Sequence, residues 1–242
     1  MKLRRRRLVA VITAFIGVVV WLFVNSESYE TVFVRAENDG EDYAAVAVSE
    51  GGENARLAVE VLAELEVKGR APKTGYTREE FYGGWPTVEG CSLRQKIIRR
   101  EFGETAVILD GCNVVAGEFD EPYTGAHMVF NNREEIGKGI QIDHVVALSD
   151  AWQKGAQYMS YEVRNAIATD PLNLLAVDGS ANNQKSDGDA ATWLPSNKKF
   201  RCQYVARQIS VKYKYKLWVT EAEKEAMGRV LLNCPKEPVI GV

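Results

Sequence analysis

The sequence predicts an α+β fold in one domain, preceded by an N-terminal transmembrane or signal helix. Three observations lead there. Apolar residues recur at helical spacing in several segments, short runs rich in β-branched residues lie between them, and the strand–helix alternation of a doubly wound sheet is missing. With 242 residues, 46% hydrophobic and 26% charged, the chain has the balance of a folded domain and not of a collagen, a long coiled coil or a wholly disordered protein.

The net charge of −3 conceals an uneven distribution. Residues 1–24 carry five basic groups and no acid, residues 25–66 carry two and eleven, and residues 67–242 carry 23 and 22. The first segment opens MKLRRRR and continues from Leu8 to Val24 without a charge. As a helix this run spans roughly 25 Å at 1.5 Å per residue, close to the ~30 Å of a bilayer core. Four consecutive arginines on one side of it follow the positive-inside rule. Residues 1–24 therefore read as a signal peptide or signal anchor. No small-x-small site follows Val24 closely, which favours the uncleaved anchor. Residues 25–54 read as an acidic flexible linker, and residues 55–242 as the folded domain, its core about 67–235 and its location outside the cytoplasm.

Within the domain, Leu57, Val61, Leu62 and Leu65 predict a helix stopping near Gly69 and Pro72. Ser92 to Phe102 predicts a second, capped by Ser92, with Leu93, Ile97 and Ile98 inward and Arg94, Lys96, Arg99 and Arg100 outward. Strand-like runs follow at 106–109, 113–116 and 140–146. Gly179 and Ser180 open a short helix, and Glu221 to Leu232 forms a last one with Thr220 at its N-cap.

Four cysteines, Cys91, Cys112, Cys202 and Cys234, contain no C-x-x-C pair, so a zinc knuckle or a thioredoxin-like site is disfavoured. An even number in an exported chain predicts two disulfides, and the sequence-local pairing Cys91–Cys112 with Cys202–Cys234 is preferred. From Lys198 to Lys216 seven basic residues, including Lys198, Lys199 and Arg201, occur without an acid and are interleaved with Tyr204, Tyr213 and Tyr215. Two readings stand side by side. The stretch could neutralise phosphates and stack bases, or it could be a solvated strand with lysines on one face and aromatics on the other.

Only two histidines exist, His127 and His144. His127 has no acid or cysteine at ligand spacing and is read as structural. His144 follows Asp143 in GIQIDHVVAL, and strand neighbours point to opposite faces, so one can hold a metal while the other meets a substrate. Downstream, Asn173, Asn182, Asn183, Lys185, Asp187 and Asp189 supply the amide and carboxylate oxygens that suit a hard divalent ion.

Together these segments resemble the HNH branch of the ββα-metal (His-Me finger) nucleases. More closely, residues from about 67 to 234 are similar to exported bacterial domains related to the C-terminal nuclease domain of the GmrSD restriction endonucleases. The resemblance rests on VKGRAPKTGY, GCSLRQKIIRREF, GEFDEPYTG, IDHVVALSDAW, PLNLLAV, NNQKSD and WLP. It implies a ββα-metal core with Asp143 and Asn182 as metal ligands, His144 as general base, Asn173 bracing the histidine loop and Lys185 approaching a phosphate. It also places Tyr123 and Thr124 of PYTG beside the site. One position departs from the pattern: relatives commonly carry Arg directly after the metal-binding Asn, where this chain has Asn183.

The implied activity is metal-dependent endonuclease hydrolysis of nucleic acid, DNA before RNA, with Mg²⁺ as cofactor and Mn²⁺ as substitute. The implied partners are that substrate and, through an uncleaved residue 1–24 helix, a membrane; no obligate protein partner is indicated. An unperturbed imidazole would make the activity fall in acid. The absence of H-E-x-x-H and G-x-S-x-G disfavours a metalloprotease and a serine hydrolase. The alternative is a membrane-tethered nucleic-acid- or envelope-binding module on the same scaffold without turnover.

Overall fold

Residues 56–241 are described by a computed structural model; the expected signal or anchor helix and the whole of the acidic linker lie outside them. Among the described residues no helix is long and apolar enough to cross a membrane.

Helix α1 (Ala58–Glu64) buries Ala58, Val61 and Leu62. It ends at Leu65, short of the expected Gly69, because the backbone beyond it pairs elsewhere. Val219 N donates to Glu66 O at 2.9 Å and Lys68 N to Val219 O at 3.0 Å, which draws residues 66–68 into extended conformation. A hairpin of β1 (Thr87–Val88) and β2 (Cys91–Ser92) leads into α2 (Leu93–Phe102), which lies where its apolar spacing put it, although the Ser92 hydroxyl makes no capping bond. Next come β3 (Val107–Leu109), β4 (Asn113–Asp120) and β5 (His127–Phe130), an antiparallel sheet in that order. Helix α2 packs on it through Leu93, Ile97, Ile98 and Phe102.

Helix α3 (Arg133–Gly139), capped by the Asn132 side chain, delivers the chain into β6 (Ile140–His144). Residues 145–173 then make an excursion that holds α4 (Leu148–Gln153) and α5 (Tyr161–Thr169). The chain returns as β7 (Leu174–Asp178), antiparallel to β6 with His144 opposite Leu174 and Asp143 opposite Leu175. Asp178 accepts from Ala181 N and starts α6 (Gly179–Lys185), so β6, β7 and α6 form a ββα unit. Helices α7 (Arg201–Lys214) and α8 (Glu221–Leu231) complete the fold. Thr220 caps α8 as expected, its side chain accepting from Glu223 N.

The stretch from Lys198 to Lys216 is therefore not a strand. Tyr204, Val205, Gln208, Ile209 and Lys212 fall on one helical face and are all buried, so the alternation of Lys212 and Lys214 with Tyr213 and Tyr215 is incidental to a 3.6-residue period. Nor is the whole stretch a phosphate surface. Arg207 and Lys212 are buried, and Lys214 pairs with Asp170 at 2.7 Å.

Three apolar clusters hold these layers. The first joins α1, α7 and α8 to one side of β7; the second gathers Phe81, Tyr82, Val146, Trp152 and Ile167; the third lies between α2, the three-stranded sheet and the opposite side of β6 and β7. Both disulfides have the sequence-local pairing, Cys91–Cys112 and Cys202–Cys234. They span 21 and 32 residues, for which loop-closure entropy is worth about 3 to 4 kcal/mol each.

Candidate active site

Strand β6 carries the site because its alternation sorts side chains onto two faces. Gln141 and Asp143, two apart, meet α6, whose Asn182 and Lys185, three apart, lie on one helical face. Asn182 Nδ2 donates to Gln141 Oε1 at 2.8 Å, and Lys185 Nζ donates to Asp143 Oδ1 at 2.9 Å and to the His144 carbonyl at 2.9 Å. His144 takes the other face, near Tyr82 and Trp85, with ring centroids 5.8 and 6.0 Å away. Since His144 ends the strand, both faces open into one cleft of about 420 Å³ lined by Gln141, Asp143, His144, Asn182, Asn183 and Asp187.

The hydrogen bonds of His144 define its protonation. Nε2 lies 2.9 Å from the carbonyl oxygen of Ala168, which can only accept, so Nε2 carries the proton and Nδ1 is left as a lone-pair acceptor. Burial lowers the imidazole pKa to about 3, with Arg78 and Lys185 acting in the same direction and the Ala168 bond against it. In the free protein His144 is therefore neutral well below the pH at which an unperturbed imidazole gains its proton. The sign of its effect on stability follows. The unfolded chain, with an ordinary histidine pKa near 6.5, binds a proton that the folded chain refuses, so this contribution is complete above that value and is lost as pH falls toward 3. We predict that His144→Gln flattens the pH dependence of unfolding free energy between pH 6 and 4 by up to about 1.4 kcal/mol per pH unit, measured by urea melts. His127, raised by Asp120 and Glu118, titrates in both proteins and cancels. Equal slopes would refute the assignment.

Asn173 sits fully buried behind the histidine. Its Oδ1 accepts from Val146 N at 2.8 Å, its Nδ2 donates to the Ile167 carbonyl at 3.0 Å, and its own carbonyl accepts from Val145 N at 2.8 Å. These bonds fix the turn at which the chain leaves β6. Tyr123 does more than pack: its hydroxyl donates to Asp143 Oδ2. Glu121 shapes the Tyr123 loop by accepting from Tyr123 N and Thr124 N.

Lys185 departs from expectation. Its side chain is fully buried and its ammonium faces inward to Asp143, so it is not placed to approach a phosphate; a helix position three residues after Asn182 must face the sheet if Asn182 does. Lys198, Lys199 and Arg201 do not line the His144 cleft. The cations at its rim are Lys73, paired with Asp187 at 2.9 Å, and Arg78, bonded to the Tyr82 hydroxyl. Sequence reasoning gave these two no role; the signal was the K-x₄-R spacing beside Tyr76, in and just after the VKGRAPKTGY stretch.

For a metal, Asp143 and Asn182 present oxygen donors to one cleft. Each carboxylate oxygen of Asp143 has a second lone pair beyond the one used by Lys185 or Tyr123, and the Asn182 amide uses its nitrogen on Gln141, leaving its oxygen. This donor set fits a hard divalent ion. Elsewhere among the described residues, ligand atoms of Cys202, Cys234 and Glu237 lie within 4.8 Å of one another. By distance they could surround a divalent ion, but the disulfide consumes both thiolates, so the oxidised chain offers one carboxylate there.

The chain is similar to a known family and to a known fungal protein. The family described as GmrSD restriction endonucleases, C-terminal domain, matches residues 94–230, more than half of the chain. A protein named "Uncharacterized secreted protein" from the fungus Arthroderma benhamiae (strain ATCC MYA-4681 / CBS 112371) is 35% identical over 185 residues, covering 75% of this chain and 86% of that protein. No solved structure matches the chain.

Proposed function

The chain belongs to the family of GmrSD restriction endonuclease C-terminal domains, and from that premise we propose that β6, β7 and α6 are a ββα-metal (HNH) core that hydrolyses phosphodiesters of nucleic acid, DNA before RNA. The observation that carries the reading is His144: a neutral imidazole with its tautomer set by Ala168, opening into the same cleft as Asp143 and Asn182.

In this mechanism Nδ1 of His144 takes a proton from water as the water oxygen attacks phosphorus and the bond to the leaving oxygen breaks. Burial makes the imidazolium costly, and the phosphate charge entering the cleft offsets that cost, so the base becomes effective when substrate is present. Asn173 keeps the ring-bearing turn in place. Arg78 and Lys73 supply positive charge at the rim for the strand. Asp143 and Asn182 would hold the divalent ion, Mg²⁺ or in its place Mn²⁺, which when bound acts as a Lewis acid on the phosphate and leaving oxygen. Lys185 serves as the internal counter-ion of Asp143, a positioning residue.

The setting proposed is outside the cytoplasm, secreted or anchored through residues 1–24. Two disulfides support it, as does a relative whose name calls it secreted. The test is incubation of the purified chain with supercoiled plasmid. Nicking with Mg²⁺ or Mn²⁺ and none with EDTA is expected; binding without nicking under every metal would return the inactive-module alternative.

A further inference from the structure

Arg207 is a buried cation that the fold leaves without a carboxylate. It is 8% exposed; Nη1 donates to the Leu172 carbonyl at 2.9 Å, and Nε is buried with no hydrogen-bond partner. Among the described residues no carboxylate lies within ion-pair distance of it. Burial itself disfavours the charge and Arg100 adds repulsion, which Glu101 and Asp170 offset only in part. A buried guanidinium beside a like charge is costly unless an anion completes it.

Both arginines line a cavity of about 990 Å³ that shares no lining residue with the His144 cleft. Lys198 and Lys199, exposed and without a carboxylate partner among the described residues, line it too. They lie in a helical turn, capped by Asn197, that runs directly into α7, so the positive end of a long helix opens there. Three acids also line the cavity, but each is engaged. Glu101 pairs with Arg100, Glu121 accepts from the Tyr123 and Thr124 backbone, and Asp120 bonds His127 at 2.9 Å.

We propose that this cavity binds a phosphate group, with Lys198 and Lys199 at its mouth and Arg207 in its wall. A phosphate supplies the negative charge that Arg207 lacks and acceptors for the exposed ammonium groups of Lys198 and Lys199. The group could be inorganic phosphate or one phosphate of a nucleic-acid strand. Only the second source rests on the nuclease reading, and binding is measured without turnover, so failure of either statement leaves the other standing.

The experiment titrates inorganic phosphate into the full chain in mild detergent with EDTA, reading melting temperature and ³¹P line width against sodium chloride of equal ionic strength. Wild type is expected to show a saturable response specific to phosphate. Lys198→Ala/Lys199→Ala is expected to weaken it by about tenfold or more, the scale of lost charged hydrogen bonds. Arg207→Met is expected to abolish the response while melting at or above the wild-type temperature without phosphate, because it removes an uncompensated buried charge; a purely structural arginine would lower that temperature. No saturable response in wild type, a response equalled by chloride, or double-lysine and Arg207→Met variants that respond like wild type would each overturn the proposal. A second arm measures a short single-stranded oligonucleotide in EDTA. Weaker binding by the lysine variant, with competition by phosphate, assigns the site to the nucleic-acid strand. Unchanged oligonucleotide binding with a lost phosphate response assigns it to free phosphate.

Discussion

His144→Ala is expected to lower the single-turnover rate of plasmid nicking by about 10²- to 10⁴-fold, the range for losing a general base. The argument begins with the tautomer. Ala168 O holds the Nε2 proton, so Nδ1 is the one basic atom of the side chain and the cleft is where it acts. Because proton removal occurs only in the transition state, kcat and kcat/KM should fall together while oligonucleotide affinity in EDTA is kept. Truncating a buried ring also removes contacts with Trp85 and Tyr82, so lost activity alone does not separate chemistry from folding. Added imidazole does: it should restore part of the rate in a variant whose cleft is intact and whose missing group is a base. A folded His144→Ala protein that nicks at the wild-type rate would remove histidine from the mechanism.

The residues that bear this prediction were legible in the sequence where local chemistry set the structure. Asp143 and His144 are adjacent on a strand, and alternation alone predicts that they separate onto two faces. Thr220 gave a helix start that needed no tertiary information, and its side chain accepts from Glu223 N. Lys185 was not legible, because its direction depends on α6 docking against β6 after the 145–173 excursion. Nothing near Lys185 in sequence names Asp143 as its partner. The same holds for His127, whose acidic partners Asp120 and Glu118 lie on the neighbouring strand and acquire contact only through the β4–β5 register. Lys212 failed for a different reason: charge counting treats every lysine as solvated, whereas this one lies on the inner face of its helix.

That inner face leads to the largest expected effect on stability. Lys154 and Lys212 are fully buried and share Glu223, at 2.6 and 3.0 Å, and Asp150, at 2.7 and 3.1 Å. Asp189 adds a contact to Lys154 at 2.8 Å, and Arg70 bonds both aspartates from the edge. Three cations thus meet three anions, in a cluster that ties α4, α7, α8 and the segment after α6. Burial alone would pull the Lys212 ammonium down, but Asp150 and Glu223 hold it above its ordinary pKa, so this lysine stays charged. Glu223→Ala then leaves an excess positive charge in a buried site, for which removal of one partner costs about 3 to 5 kcal/mol. In a domain of this size that corresponds to a loss of roughly 6 to 20 °C in Tm, read by calorimetry. Lys154→Met combined with Glu223→Leu removes one charge of each sign and fills the space, so it should recover most of the loss. If Glu223→Ala melts within about 2 °C of wild type, the cluster is solvated enough to be stabilised by water, and its charges do not hold the helices together.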